Sequence, residues 1–340
     1  MEKRKRPSRT KESTAKGKKN SRFTKGQQMI MNILLVVCGA GLVFSLIMLF
    51  NNASEETKDR NRILNDLSMF LNPEGAAKPG SKEDPYKDVV FPEGILEQMK
   101  PFYARNKETV GFLMINGIKN FGYPVVQASN NEKYLRKDLD SKYSREGTVF
   151  MDYKVTFDSF GEPENHQNLL MHGHNNKNGL MFAPLVKYNA FESGLSQFKK
   201  APIIDFYTLY KKTSYKICAV VLPNLRWEDG ATFDFMSTDF YDKEKFDVFH
   251  DEVMSRSVIN TGVDFEYGEE LITLHTCVYY LNDKGMHLLI IGRELRPGEN
   301  ADNTNTSAAT VNNSAVMADT YVDKYGKGVK VSKVKGTKKK

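Results

Sequence analysis

The sequence predicts a mostly β domain of eight strands, a mostly antiparallel barrel or sandwich, carried behind one membrane-spanning helix. Eight short apolar runs bounded by turn residues occupy residues 110–295. Few helical periods interrupt them, which leaves little room for the crossovers that parallel pairing needs. Residues 29–50 form an uncharged apolar run of 22 residues.

A chain of 340 residues with 40% hydrophobic content can bury a sizeable core. Three cysteines exclude a multi-bridge disulfide framework, and 24 Gly with 12 Pro is ordinary usage, which excludes a collagen-like chain. The net charge of +7 suggests a nucleic-acid binder until it is divided along the chain. Residues 1–28 hold eleven basic and two acidic residues and 321–340 hold eight and one, which leaves 30 basic against 39 acidic residues between them. The body is therefore acidic, and no nucleic-acid partner is expected.

As a helix, residues 29–50 extend roughly 33 Å, enough to cross a bilayer. The run exceeds a signal-peptide apolar region of about 7–15 residues, and only Asn51-Asn52-Ala53-Ser54 comes after it, so an uncleaved anchor is expected. The basic residues before it, with Glu55, Glu56 and Asp59 after it, predict a cytoplasmic N-terminus (1–28) and an exterior remainder. Cys38, inside the span, reads as a small packing residue.

Residues 51–89 read as a juxtamembrane helix (53–71) and a Pro/Gly/Lys-rich linker, and 90–297 as the folded domain. A helix is predicted from Glu93 to about Arg105, kinked at Pro101. Strands are predicted at 110–115, 123–127, 148–152, 169–172, 203–208, 215–222, 271–277 and 287–295. The long insertion between the sixth and seventh strands contains a predicted helix from Asp242 to about Arg256, with Phe246, Phe249 and Val253 on one face. Residues 298–340, rich in Asn, Thr, Ser and Ala and then in Lys, are expected to be disordered.

Of the two exterior cysteines, Cys218 sits within an apolar strand and reads as a small hydrophobe. Cys277 ends the run Leu271–Cys277 just before the polar turn Asn282–Gly285, where a thiol can meet both a substrate and a base. The base must come from six histidines. His250 falls on the predicted covering helix and His166 in a polar loop. His172-Gly173-His174-Asn175 closes a strand before a Gly/Asn-rich turn, and spacing alone does not choose between its two histidines. Paired histidines also suit a metal, but no HExxH or CxxC pattern supplies further ligands, so neither metal nor cofactor is expected.

In order and spacing, several pieces together resemble the class B sortases, membrane-anchored cysteine transpeptidases of Gram-positive bacteria, over residues 90–296. They are Thr109–Leu113, Tyr123–Gln127, Gly147–Tyr153, Gly173-His174-Asn175 with Gly179–Phe182, Thr261–Asp264, Thr273–Cys277 and the closing strand to Arg293. The resemblance implies an eight-stranded sortase-like β-barrel with N-terminal helices and a helix between strands six and seven. It implies Cys277 as the nucleophile and His174, between Gly and Asn, as proton donor and acceptor. Where the family carries an arginine at the start of the last strand, this chain has His287. Arg293 lies six residues on, roughly 20 Å along the strand, and is expected to be salt-bridged or solvated. His287 as oxyanion donor and backbone N–H groups in that role both stay open. His275, where the family more often has a small hydroxyl residue, and Thr276 are expected to contact substrate, or His275 to pack.

The implied partners are a sorting-signal peptide of surface proteins, an amine of peptidoglycan or a pilin, and the membrane through one N-terminal helix. The implied reaction is acyl transfer through a Cys277 thioester. The alternative is a membrane-tethered binding or scaffold protein of sortase fold whose activity is reduced or lost, motivated by His287.

Overall fold

The computed structural model describes residues 24–73, 86–158, 161–164, 168–189, 191–223, 230, 232–278 and 286–325. Most of the basic N-terminal segment and of the linker, together with His166, the Asn282–Gly285 turn and the Lys-rich run from residue 326, lie outside the described residues.

The chain divides into two compact units, residues 1–55 and 56–340. Helix α1 runs Lys25–Leu71. In the first unit it is long and apolar enough to cross a membrane, and none of its most apolar window is buried. In the second unit the amphipathic end of α1 buries Ile63, Asp66 and Phe70. Phe70 stacks on Phe112 with ring centroids 3.9 Å apart, and Asp66 accepts from Arg105 at 2.5 Å. A short 3-10 turn, Glu97–Met99, leads into α2, Lys100–Arg105. Pro101 does not kink a longer helix as expected. It sits in the first turn of α2, where its missing N–H leaves nothing unpaired.

Strands β1 (Thr109–Met114), β2 (Gly122–Val126), β3 (Val149–Met151), β4 (Asn168–His172), β5 (Ile203–Thr208), β6 (Lys212–Val221), β8 (Leu271–Val278) and β9 (Met286–Glu294) close a barrel in the order β1-β2-β3-β4-β8-β9-β6-β5. The short β7 (Ile259–Asn260) stands outside it. Six barrel neighbours pair antiparallel, but β2–β3 and β4–β8 are parallel. Between β4 and β5 lie a 3-10 segment, Ala183–Asn189, and α3, Phe191–Lys200, neither of which was expected.

Alternation along the strands separates two packed faces. Leu169, Met171, Ile272, Leu274, Val278, Met286, Leu288 and Ile290 join the main core. Leu271, Leu289 and Ile291 face the opposite way, under α4 (Lys243–Arg256) and Phe235 and Phe240 of the preceding segment. Asp242 caps α4 by accepting from the Glu244 N–H.

The expectation of disorder from residue 298 is corrected for residues 298–325. Strand β10 (Thr310–Val311) pairs with β7, and α5 spans Asp319–Tyr325. Ala309, Ala315, Met317, Ala318 and Tyr321 are buried in the main core. Low apolar content suggested disorder, but small Ala side chains fit a close approach. Asn312 in turn binds the Ser257 carbonyl through its side chain and the Val258 carbonyl through its N–H.

Candidate active site

The site is assembled where β4, β8 and β9 run side by side. The parallel β4–β8 register sets His172 opposite His275, and the β8–β9 register sets Cys277 opposite His287. Because Ile272, Leu274 and Leu288 face the main core, the alternating positions His275, Cys277 and His287 lie on the opposite, outer face. Phe235 stands over two of them, 6.1 Å from the His275 ring and 5.8 Å from that of His287.

His174 reaches this end because β4 continues into a segment tied to β8. The Gly173 N–H donates to the His275 carbonyl at 3.2 Å, and Asn175 Nδ2 donates to the Cys277 carbonyl at 3.0 Å. The β4–β8 ladder ends at His172–His275, and His174 follows between the two ties that Gly173 and Asn175 make to β8. Gly173 is required here, since a Cβ would lie 2.6 Å from the Phe182 ring. The chain then turns back through an Asn175–Met181 bridge, with Gly179 at φ +80°. His174 is half-buried; its Nε2–H donates to the Leu135 carbonyl at 2.9 Å, which leaves Nδ1 as its basic nitrogen. Cys277 is also half-buried and is in no disulfide.

A hydrogen-bonded series that the sequence did not suggest runs beside the thiol. Asp152, just after β3, accepts from His172 Nε2 at 3.0 Å; His172 Nδ1 meets His275 Nδ1 at 2.8 Å; and His275 Nε2 meets His287 Nδ1. The rings are strung in line, and among the described residues no group of three His, Cys, Asp or Glu side chains is arranged to hold a metal. Burial pushes the Asp152 carboxyl up, but hydrogen bonds from His172, the Lys154 N–H and Asn131 outweigh it and hold it below 3.8. Burial, with its histidine neighbours, pulls His275 well below 6.5, and burial with His172 pulls His287 down to about 4.

His275, for which a substrate contact or a packing role was expected, is 8% exposed and bridges two other imidazoles as an internal link. Thr276, opposite Leu288, points with Leu274 and Val278 toward the main core, so the substrate contact expected of it is turned away from the thiol's face. Arg293 pairs with Leu271 at the far end of the hairpin, 2% exposed, and is bound to Glu299 at 2.5 Å. It is a salt-bridging residue, as expected. Cys218 donates to the Ile291 carbonyl, and burial pushes its thiol up to about 12, so it is inert. His250 lies on α4, beside Asp251, Phe246 and Phe265.

No protein-family model matches the chain. It is 25% identical over 204 residues to sortase B of Staphylococcus aureus, covering 60% of this chain and 77% of that one. It is 25% identical over 233 residues to sortase B of Listeria monocytogenes, covering 65% and 79%. Among solved structures, the Staphylococcus aureus sortase B–substrate complex superimposes with a TM-score of 0.56 at 21% identity, over 72% of this chain and 100% of that one. A 2.0 Å crystal structure of the same enzyme gives 0.55 at 21% identity, over 71% and 99%. The fold is thus the sortase barrel. The sequence similarity to two sortase B proteins, joined to the barrel fold, supports a class B sortase, one of a family of cysteine transpeptidases of the cell wall.

Proposed function

We propose that the chain is an active membrane-anchored transpeptidase that cleaves a C-terminal sorting signal and transfers the acyl group to an amine. The observation that carries this reading is the tie between the ends of β4 and β8, where the Gly173 N–H binds the His275 carbonyl and Asn175 binds the Cys277 carbonyl at 3.0 Å, with His174 between them in the chain. The Cys277 thiolate attacks the Thr carbonyl of an LPxTG- or NPxTx-type signal to give a thioester, and His174, carrying a second proton on Nδ1 before the attack, gives that proton to the departing amine. A peptidoglycan or pilin amine, deprotonated by His174, then takes the acyl group and releases the thiolate. Residues 29–50 anchor the protein with its first 28 residues in the cytoplasm and the barrel outside. A peptide partner accords with the substrate complex of the Staphylococcus aureus relative.

Incubating the exterior domain with a panel of signal peptides and an amine should yield a Cys277 thioester by mass spectrometry and a ligated product. A folded domain that turns over nothing across the panel overturns the reading. The second reading, a sortase-fold binding or scaffold protein, draws on His287 at the arginine position. Under that reading H287R creates or sharply raises activity, whereas a large loss shows that His287 already serves the reaction.

A further inference from the structure

We infer that Asp152, His172 and His275 form a proton relay ending at His287, and that His287 Nε2 takes the proton of Cys277 instead of standing in as a fixed cation. This rests on the transpeptidase reading.

The polarity of the series is set by its anchor. Asp152 accepts from His172 Nε2, from Asn131 Nδ2 at 2.8 Å and from the Lys154 N–H at 3.0 Å, and an ionised carboxylate only accepts. His172 therefore carries its proton on Nε2 and offers the Nδ1 lone pair. His275 fills that lone pair with Nδ1–H and offers Nε2, and His287 fills that in turn with Nδ1–H. The neutral series leaves His287 Nε2 unprotonated, an acceptor, on the residue directly opposite Cys277.

Proton transfer reverses the series. The S–H bond of Cys277 breaks with its electron pair left on sulfur, and Nε2–H forms on His287. His287 passes its Nδ1 proton to His275 Nε2, and His275 passes its Nδ1 proton to His172 Nδ1. The net result is a thiolate and one positive charge on His172, next to the Asp152 carboxylate, with no other species consumed. His287 now presents Nε2–H, so the step that generates the nucleophile also turns the opposing nitrogen into a donor for the oxyanion formed next. A buried imidazolium on His287 alone is disfavoured, whereas one on His172 is paired.

The titratable groups around His287 are His275, which holds its Nδ1, Cys277 opposite it on β8, and His172 and Asp152 further along the series. The test uses the exterior domain without substrate. In the C277A variant, ¹⁵N-histidine spectra near neutral pH should show Nδ1–H on His275 and His287 and Nε2–H on His172; Nε2–H on His287 in that state overturns the relay. Alkylation of Cys277 against pH, in the domain with its thiol intact, supplies the second arm. D152N and H172F should move its midpoint up by about one pH unit, roughly a tenfold loss of rate below it, with the thermal transition retained. An unmoved midpoint in a folded variant overturns the relay. Neither arm needs turnover, so a domain inert toward every peptide defeats the transpeptidase reading while leaving the relay measurable. Normal turnover and an unmoved midpoint in D152N defeat the relay alone.

Discussion

His287 stands directly opposite Cys277 across the β8–β9 hairpin, and its Nδ1 is held by His275. The position where the family resemblance implies an arginine is therefore filled by a group whose charge depends on its neighbours. A guanidinium carries a permanent charge and forked donors, whereas an imidazole at this site is a donor or an acceptor according to the proton count of the series behind it.

Removal of the thiol or of the acid–base group separates chemistry from binding. C277A should abolish thioester formation, and H174Q should lower turnover by roughly 10²–10⁴-fold with the thermal transition unchanged. Peptide ligation by the purified exterior domain, monitored by mass spectrometry, checks both.

The histidine series sets an acid limit on stability. The folded pKa values of His275 and His287 lie below the ordinary 6.5, the latter at about 4, so the unfolded chain binds more protons between those values. Stability is full above pH 6.5 and falls as the pH drops toward 4, by roughly 3 kcal/mol for His287 alone as an upper figure. Urea unfolding at pH 7.5 and 4.5 should show the loss, and H287F should flatten it.

At the other end of the hairpin the sign is reversed. Burial pushes the Glu270 carboxyl up to about 7; the Tyr215 hydroxyl, which donates to it, works against this, and Glu294 adds to it. The folded state then binds more protons than the unfolded between pH 4.5 and 7, and stability declines as pH rises through that window. E270Q keeps an acceptor for Tyr215 without the charge and should gain on the order of 1–3 kcal/mol at pH 8 by chemical denaturation.

Truncation distinguishes the folded C-terminal segment from the Lys-rich run beyond it. Ending the chain at residue 297 uncovers the core surface covered by Ala309, Met317 and Tyr321 and should lower the melting temperature sharply, whereas ending it at 325 should leave that temperature unchanged. Y321A, which opens a cavity at a site 1% exposed, should cost about 3 kcal/mol.

The uncharged run of residues 29–50, the eight barrel strands to within a few residues, and the helix that became α4 were all legible in the chain. These are local properties: charge, period and turn chemistry are written within a few residues of where they act. The resemblance singled out Cys277 and His174, and it contained Asp152 within Gly147–Tyr153 without suggesting a task for it. That β4 lies parallel to β8 was settled by long-range packing, because strand neighbours 100 residues apart are chosen by burial of both faces and leave no local mark. That one pairing sets His172 against His275 and joins both to Asp152 and His287. It equally took the barrel's packing to fold residues 298–325, whose few apolar side chains are enough only because a surface already shaped for them exists.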